Sequence, residues 1–129
     1  MKSRNFKAGR GKYRLTAVLI EAGRDVVLAI AGGTCYHAGA TAVASPRPSL
    51  TGKGKSASVS VLCQLGHCDD EFARPAARRL SIVTGGVAVV TVGIHIDHAE
   101  QQELIALQEN FEQLLYSVQQ YLMNEEETS

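Results

Sequence analysis

The sequence of 129 residues contains no tryptophan, and its aromatic residues amount to only 5%. So few aromatic side chains argue against a surface on which nucleic-acid bases stack. The chain also lacks net charge, with 13 basic and 13 acidic residues, which argues against general binding of nucleic acids or membrane surfaces. Because 45% of the residues are hydrophobic, extensive disorder is excluded. We therefore expect one globular domain over residues 1–129.

A disulfide framework, a signal peptide and a membrane span are not predicted either. The three cysteines are an odd number and show no framework spacing. The basic start Met-Lys-Ser-Arg-Asn is followed by no apolar segment long enough for a signal peptide. Residues 26–46 carry no formal charge, but glycines and His37 interrupt them, so strand, loop and strand fit them better than a membrane span. We expect a cytoplasmic protein with no membrane partner.

The charges of this chain are unevenly distributed along the sequence. Before Leu15 there are six basic residues and no acid, and after Asp97 there are seven glutamates and neither Lys nor Arg. The middle of the chain is therefore poor in charge. Either burial in a homo-oligomer or a sheet of small residues with Ser and Thr outside would explain it. Because the apolar stripe of the last helix is also wide, we expect a homo-oligomer.

The pattern of apolar residues predicts five strands and two helices in the order ββββαβα. The strands are expected at residues 12–22, 25–31, 38–45, 57–65 and 87–96. The second of these is an almost uninterrupted apolar run, which is typical of a strand covered on both faces. The first helix is expected over 69–83, with Asp69 or Asp70 as its cap and Pro75 inside it, and the second is expected to begin at Asp97. Residues 1–11 are expected to be a loose basic arm, and 124–129 a frayed acidic tail.

These elements predict an α/β fold, a mixed sheet of about five strands with two helices on one face. If the first four strands form a meander, the second and fourth point the same way, and the helical connection to the fifth gives a parallel crossover. The ends of strands two, four and five then share one edge of the sheet. The four histidines of the chain all fall in the segments at these ends: His37, His67, His95 and His98. This edge is the candidate functional site.

Several residues at this edge have both a structural and a functional interpretation. Gly32 and Gly33 form either a turn that needs positive φ or a loop whose amides approach an anion closely. Asp69 and Asp97 are interpreted first as helix caps, with a direct chemical role as the alternative. His95 shares a strand face with Asp97, so it is either a ligand contact or a solvated side chain.

Both predicted helices begin at this edge, and helix N-termini favour anions. The first strand begins there as well, which brings Arg10, Lys12 and Arg14 close to the histidines. An edge with a glycine loop, histidines and basic residues suits a phosphorylated ligand. A large cofactor fits these features better than a metal ion alone.

Three ordered segments at this edge carry glycine, histidine and aspartate together: Gly32-Gly33-x3-His37-x-Gly39, Gly66-His67-x-Asp69-Asp70 and Gly93-Ile94-His95-Ile96-Asp97. The set resembles the LpdD-like small proteins that accompany gallate-type decarboxylases of the UbiD class, over about residues 12–122. The resemblance implies a non-catalytic chaperone with prenylated flavin mononucleotide (prenylated FMN) as its cargo and a UbiD-class decarboxylase as its partner. The cofactor contacts that it implies, with no metal ligand among them, are Gly32, Gly33, His37, Gly39, His67, Asp69, His95 and Asp97.

Two other functions stay open at this point. One is a small metal-dependent enzyme that uses His37, His67 and His95, although no recognised short spacing of zinc ligands is present. The other is an oligomeric, ligand-responsive RNA-binding regulator, which the neutral charge and the few aromatics disfavour. Cysteines and histidines for nucleophilic catalysis are present, but no motif defines a pair, and neither a Walker loop nor a dinucleotide fingerprint occurs.

Overall fold

The computed structural model describes residues 1–34, 36–64 and 69–128, which form one six-stranded mixed sheet with two helices. The strands are β1 (Lys2–Ala8), β2 (Leu15–Ala22), β3 (Asp25–Gly33), β4 (Ala40–Pro48), β5 (Lys55–Cys63) and β6 (Ala88–His95). The helices are α1 (Asp70–Thr84) and α2 (Gln101–Thr128), and a 3₁₀ turn at Gly11–Tyr13 joins β1 to β2. The predicted α/β class is confirmed, with six strands where about five were expected.

The strands lie side by side in the order β1-β2-β3-β6-β4-β5. The predicted meander is therefore wrong, because β6 is inserted between β3 and β4. It pairs with β3 in parallel and with β4 in antiparallel orientation. The Val residues of β6 are compatible with a strand on each side. The predicted directions are correct nevertheless: β3, β5 and β6 all end at the same edge of the sheet.

Residues 2–8, expected to be a loose arm, form the edge strand β1. It pairs with β2 along its whole length, from Lys2 opposite Glu21 to Ala8 opposite Leu15. Side chains from α2 hold it in place: the ring of Phe6 packs edge-on against Tyr121 at 5.9 Å. The predicted frayed tail is helical up to Thr128.

The core lies between the helices and one face of the sheet. Leu19, Leu28, Val90 and Ala42 are opposite one another on adjacent strands and share this face, as the register shows. All four are fully buried. Both helices pack there, as predicted, and they meet where the ring of Phe72 on α1 contacts Phe111 on α2. Burial of this apolar surface, at about 25 cal/mol per Å², supplies most of the driving force for folding.

The opposite face of the sheet is exposed, which corrects the expectation for β3. Burial alternates along β3 instead of being continuous, and the side chain of Val27 is 39% exposed. The described residues of the chain therefore cover β3 on one face only.

The helix boundaries differ in part from the predicted ones. Helix α2 begins at Gln101, after Asp97, and the Glu103 carboxylate accepts a hydrogen bond from the Glu100 amide at 3.2 Å. Helix α1 continues through Pro75 and ends at Thr84, and Gly85 follows as its C-cap. Gly85 adopts a φ of 72°, and its amide donates to the Ser81 carbonyl, which is the usual glycine termination of a helix.

Candidate functional site

The loop after β3 lies closely against the end of β6, and glycines make this approach possible. The Thr34 amide donates to the His95 carbonyl at 2.8 Å, and the Gly39 amide donates to the Val92 carbonyl at 3.0 Å. A Cβ on Gly93 would lie 1.4 Å from the carbonyl oxygen of His37. Gly93 therefore allows the His37 backbone to cross β6, although the sequence analysis did not select it. A glycine inside the strongest predicted strand was the signal for this role.

The predicted glycine pair has a packing role in this structure. A Cβ on Gly33, whose φ is 85°, would lie 1.9 Å from the His95 carbonyl oxygen. A Cβ on Gly32 would lie 2.3 Å from a methyl group of Leu15. Both positions therefore require glycine because of neighbouring protein atoms, and the turn interpretation accounts for them without a bound anion.

The structure brings His37 and His95 together, as the strand directions predict. Their ring centroids are 6.0 Å apart, with 80° between the ring planes. The side chain of His37 is 21% exposed and that of His95 is 42% exposed. The two imidazoles form an edge-on pair that a ligand can reach from solvent.

Asp69 links the start of α1 to this histidine pair. Its Oδ1 accepts a hydrogen bond from the Ile94 amide at 3.0 Å, and its Oδ2 lies 3.4 Å from Nε2 of His37. The residue is only 4% exposed. Asp69 occupies the N-cap position of α1, as expected, but its side chain makes no capping hydrogen bond there. A Cβ on Gly39 would lie 1.8 Å from Oδ2 of Asp69, which explains the glycine there.

Asp97 is paired with the second histidine. Its Oδ1 lies 2.6 Å from Nε2 of His95, and its side chain is 76% exposed. The expected role of Asp97 as the cap of α2 is wrong, because that helix begins four residues later at Gln101. Each imidazole thus has a carboxylate beside Nε2, which restricts the orientation of the ring.

The two helix starts at this edge are acidic, which the sequence analysis did not take into account. The first turn of α1 contains Asp70 and Glu71, directly after Asp69. The first turn of α2 contains Glu103, whose pKa is lowered because the ammonium group of Lys12 donates a hydrogen bond to it at 2.8 Å. Carboxylates at a helix N-terminus take the place of an external anion, so neither start is a good phosphate site.

Other candidate ligands at this edge do not form a metal centre in the part of the chain that the structure describes. Within residues 1–34, 36–64 and 69–128, no group of three or more His, Cys, Asp or Glu side chains converges on a point. The Cys63 thiol lies 3.8 Å from Oδ1 of Asp70, and its pKa is raised by loss of hydration and by the nearby carboxylates of Asp70 and Asp69. His67 lies outside the described residues.

A groove of about 480 Å³ lies at the other edge of the sheet, away from the histidines. It is bordered by the turn after β2 at Gly23 and Arg24, by the end of α1 at Thr84, and by Leu122 and Glu125 of α2. None of the predicted site residues lines it.

The fold of this chain is similar to the folds of solved protein structures. Seven chains of solved structures match it, and one belongs to the crystal structure of a novel chaperone complex for yeast 20S proteasome assembly. That chain has a TM-score of 0.58 and 12% sequence identity, and the match covers 95% of this chain and 99% of the other. At this identity the likeness shows the fold alone.

Three further findings concern curated proteins, membrane-spanning helices and the family. No curated protein matches the sequence. Among the described residues, no helix is both long and apolar enough to cross a membrane. The model of the prenylated flavin chaperone LpdD-like domain family matches residues 9–123, which is most of the chain and includes every predicted site residue. The chain therefore belongs to the prenylated flavin chaperone LpdD-like domain family.

Proposed function

We propose that this chain is a non-catalytic chaperone that binds prenylated FMN at the histidine edge and delivers it to a UbiD-class decarboxylase in the cytoplasm. The observation that carries the proposal is the pair of imidazoles, His37 and His95, with their ring centroids 6.0 Å apart at the edge of the sheet where β3 and β6 end. The family membership supplies the class of cargo, and the site supplies the groups that can hold it.

The two histidines suit the polar edge of a flavin ring system. A flavin presents carbonyl oxygens and ring nitrogens in one plane, and an imidazole can donate and accept hydrogen bonds in its own plane. The carboxylates of Asp69 and Asp97 orient the two rings before the ligand arrives. Preorganised groups lose less entropy on binding, so a few contacts suffice for moderate affinity.

Basic residues are better suited to bind the phosphate of the ligand than the acidic N-termini of the helices. The turn between β1 and β2 lies at this edge, because Leu15 at the start of β2 pairs with Gly32 at the end of β3. Arg10 and Arg14 flank that turn, and both are exposed. We therefore assign the phosphate to this pair, since a guanidinium group can bind phosphate through two parallel hydrogen bonds.

A carrier role fits the described residues better than catalysis of decarboxylation. The cysteine at the edge, Cys63, has a raised pKa, so its thiol stays protonated at neutral pH and is a weak nucleophile. A moderate affinity, on the order of micromolar, is what a protein needs if it has to release its cargo again.

The proposal is tested with the apo form of a UbiD-class decarboxylase. The chain is loaded with prenylated FMN and mixed with the apo enzyme, and the rate at which activity appears is compared with that for free prenylated FMN. We expect faster or more complete activation with the loaded chain, and no turnover of aromatic acid by the chain alone. The proposal is wrong if loaded chain and free cofactor activate equally, or if the chain alone decarboxylates the acid.

A further inference from the structure

Strand β5 is the last strand on one side of the sheet, so its outer edge carries backbone groups with no strand beside them. Within the described residues β5 pairs with β4 alone, over the whole of its length. The Ser49 amide donates to the Gly54 carbonyl just before β5, and the Gln64 amide donates to the Gly39 carbonyl just after it. Because bonding alternates along an antiparallel pair, the even-numbered residues of β5 bond toward β4.

The amide and carbonyl groups of the odd-numbered residues point the other way, out of the sheet. The register between β4 and β5 has no bulge, so this alternation holds from one end of β5 to the other. Ala57, Val59 and Val61 each present an amide and a carbonyl group along this free edge. Such a row is a template on which another extended chain can add as a further strand.

The sequence of β5 leaves the free edge unprotected. Soluble proteins usually blunt an exposed strand edge with charged residues, proline or a bulge. The opposite edge of the sheet follows this rule, because β1 contains Lys2, Arg4 and Lys7. Residues 56–63 of β5 include no charged residue, no proline and no glycine. An edge of this kind is able to pair with another chain.

A row of charged residues on α1 runs alongside the free edge. Asp70, Arg74 and Arg78 are four residues apart, so they share one side of the helix. Oδ1 of Asp70 lies 3.8 Å from the Cys63 thiol at the end of β5. Nη2 of Arg78 lies 3.5 Å from Oγ of Ser56 near the start of β5. Arg74 is midway between them on the helix and therefore lies beside the middle of β5.

Arg74, Arg78 and Lys55 are available to a partner. All three are exposed, and within the described part of the chain none of them forms an ion pair. Arg79, the next residue of α1, is by contrast held by Glu112 of α2 at 2.8 Å. The acidic residues of α1 are confined to its first turn, which lies at the end of β5. The first half of the free edge is therefore flanked by positive charge.

We propose that the free edge of β5 binds an extended, acidic segment of a partner protein by strand addition. The backbone of this segment pairs with Val59 and its odd-numbered neighbours. The side chain of Val59 is on the helix side of the sheet, because it lies opposite the buried Ala44. Every second side chain of the added strand is on the same side, next to Arg74 and Arg78. A carboxylate there forms charge-assisted hydrogen bonds with a guanidinium group.

A second copy of this chain fits the free edge less well than an acidic partner does. If two copies of β5 paired around a two-fold axis, the strands would run antiparallel and their middles would meet. Arg74 of one copy would then lie near Arg74 of the other, and like charges at short range repel each other. A nucleic acid supplies negative charge, but its backbone has no amide donors for the free carbonyl groups of β5. An extended acidic peptide satisfies both the backbone groups and the arginines.

The test measures binding of a fluorescein-labelled peptide to the full chain by fluorescence anisotropy. The peptide consists of about eight alternating valine and glutamate residues, which is the length of a typical strand. We expect a dissociation constant on the order of 10 µM at about 50 mM salt. A second peptide with N-methylated glutamates keeps the charges and removes the amides that face β5. It is expected to bind at least about tenfold more weakly, as is a third peptide with glutamine in place of glutamate.

Two variants of the chain test the same contacts from the other side. Val59→Pro removes an amide of the free edge and keeps the bonds to β4, because proline is tolerated at the outer side of an edge strand. Arg74→Glu reverses the charge beside the middle of β5. Each variant is expected to raise the dissociation constant of the first peptide at least about tenfold, with an unchanged circular dichroism spectrum. The matched control is Arg24→Glu, which makes the same change of charge at an exposed residue outside β5 and α1 and is expected to bind as the parent does.

Three results would overturn the proposal. The first is no binding of the first peptide by the parent chain at about 1 mM. The second is equal binding of the N-methylated peptide, because charge alone would then hold it. The third is equal binding by Arg74→Glu and the parent. If Val59→Pro fails to fold, the N-methylated peptide still tests the backbone contact on the unchanged chain.

Discussion

The side chain of Asp69, at the start of α1, contacts both the Ile94 amide of β6 and the ring of His37. Two substitutions at this position test the two contacts separately. In the parent chain the Ile94 amide donates a hydrogen bond to Asp69 at 3.0 Å, and Asp69 is only 4% exposed. The change Asp69→Ala removes this acceptor and leaves the amide buried without it. A buried donor that loses its partner costs about 1–3 kcal/mol. We therefore expect the free energy of unfolding to fall by about 2 kcal/mol, which lowers the ratio of folded to unfolded protein about thirtyfold.

The matched variant is Asp69→Asn, which keeps an oxygen for the Ile94 amide and removes only the negative charge beside His37. We expect it to lower the free energy of unfolding by less than about 0.5 kcal/mol. Urea unfolding followed by circular dichroism measures both variants. With a slope of about 2 kcal/mol per M, the midpoint of Asp69→Ala should fall by about 1 M. The reasoning is refuted if both variants lose the same stability, or if Asp69→Ala unfolds at the same urea concentration as the parent.

Two further predictions concern the packing of this edge and its ion pair. The change Gly93→Ala places a methyl group against the His37 carbonyl, so it should lower the free energy of unfolding by more than about 2 kcal/mol, measured by thermal unfolding. The control is Gly52→Ala, because Gly52 has open space around it and a φ of 77°. This control should lose about 1 kcal/mol. Equal losses would contradict the role of Gly93. Because Lys12 lowers the pKa of Glu103, the stability from this pair is complete above the unfolded value near 4.5 and is lost as pH falls through the lower folded value. The stability difference between the parent and Glu103→Gln should therefore shrink between about pH 5 and pH 3 in urea unfolding, and a constant difference would contradict the pairing.

Strand directions could be predicted from the sequence, but strand neighbours could not. Short connections reverse the direction of the chain, and a helical crossover preserves it. Local patterns were therefore enough to predict that β3, β5 and β6 end at the same edge of the sheet. Which strand lies beside which depends on pairing between distant residues. The insertion of β6 between β3 and β4 has no local signal, because either neighbour would satisfy its apolar pattern.

The edge strand β1 was missed for a related reason. It has basic residues and no acidic ones, which is typical of a solvated arm, and besides its pairing with β2 it is held by side-chain contacts with α2, which is distant in the sequence. The guanidinium group of Arg4 lies 4.7 Å from the ring centroid of Tyr121, and Phe6 packs on the same ring. Basic residues also protect an exposed strand edge against pairing with other chains, so the same composition fits a strand equally well.

The aspartates at the site show what a local capping signal leaves out. Asp69 and Asp97 each stand shortly before a helix, and the sequence offers no local feature that separates a cap from a partner of histidine. In the fold the Asp69 carboxylate lies beside Nε2 of His37 from another segment, and the Asp97 carboxylate lies beside Nε2 of His95, two residues earlier in the chain. His37 and His95 were therefore located correctly, but the carboxylates beside their rings were interpreted first as helix caps.

The most direct test of the account is a calorimetric titration of the chain with prenylated FMN, with ordinary FMN in parallel. We expect a dissociation constant on the order of micromolar for prenylated FMN. The variants His37→Ala and His95→Ala should each raise it about tenfold to a hundredfold, the loss expected when a buried polar group of the ligand is left unpaired. The control His98→Asn should bind as the parent does, because Asn tolerates the φ of 54° at this exposed position. No binding of prenylated FMN at about 100 µM, or equal binding by the parent and both His→Ala variants, would contradict the account.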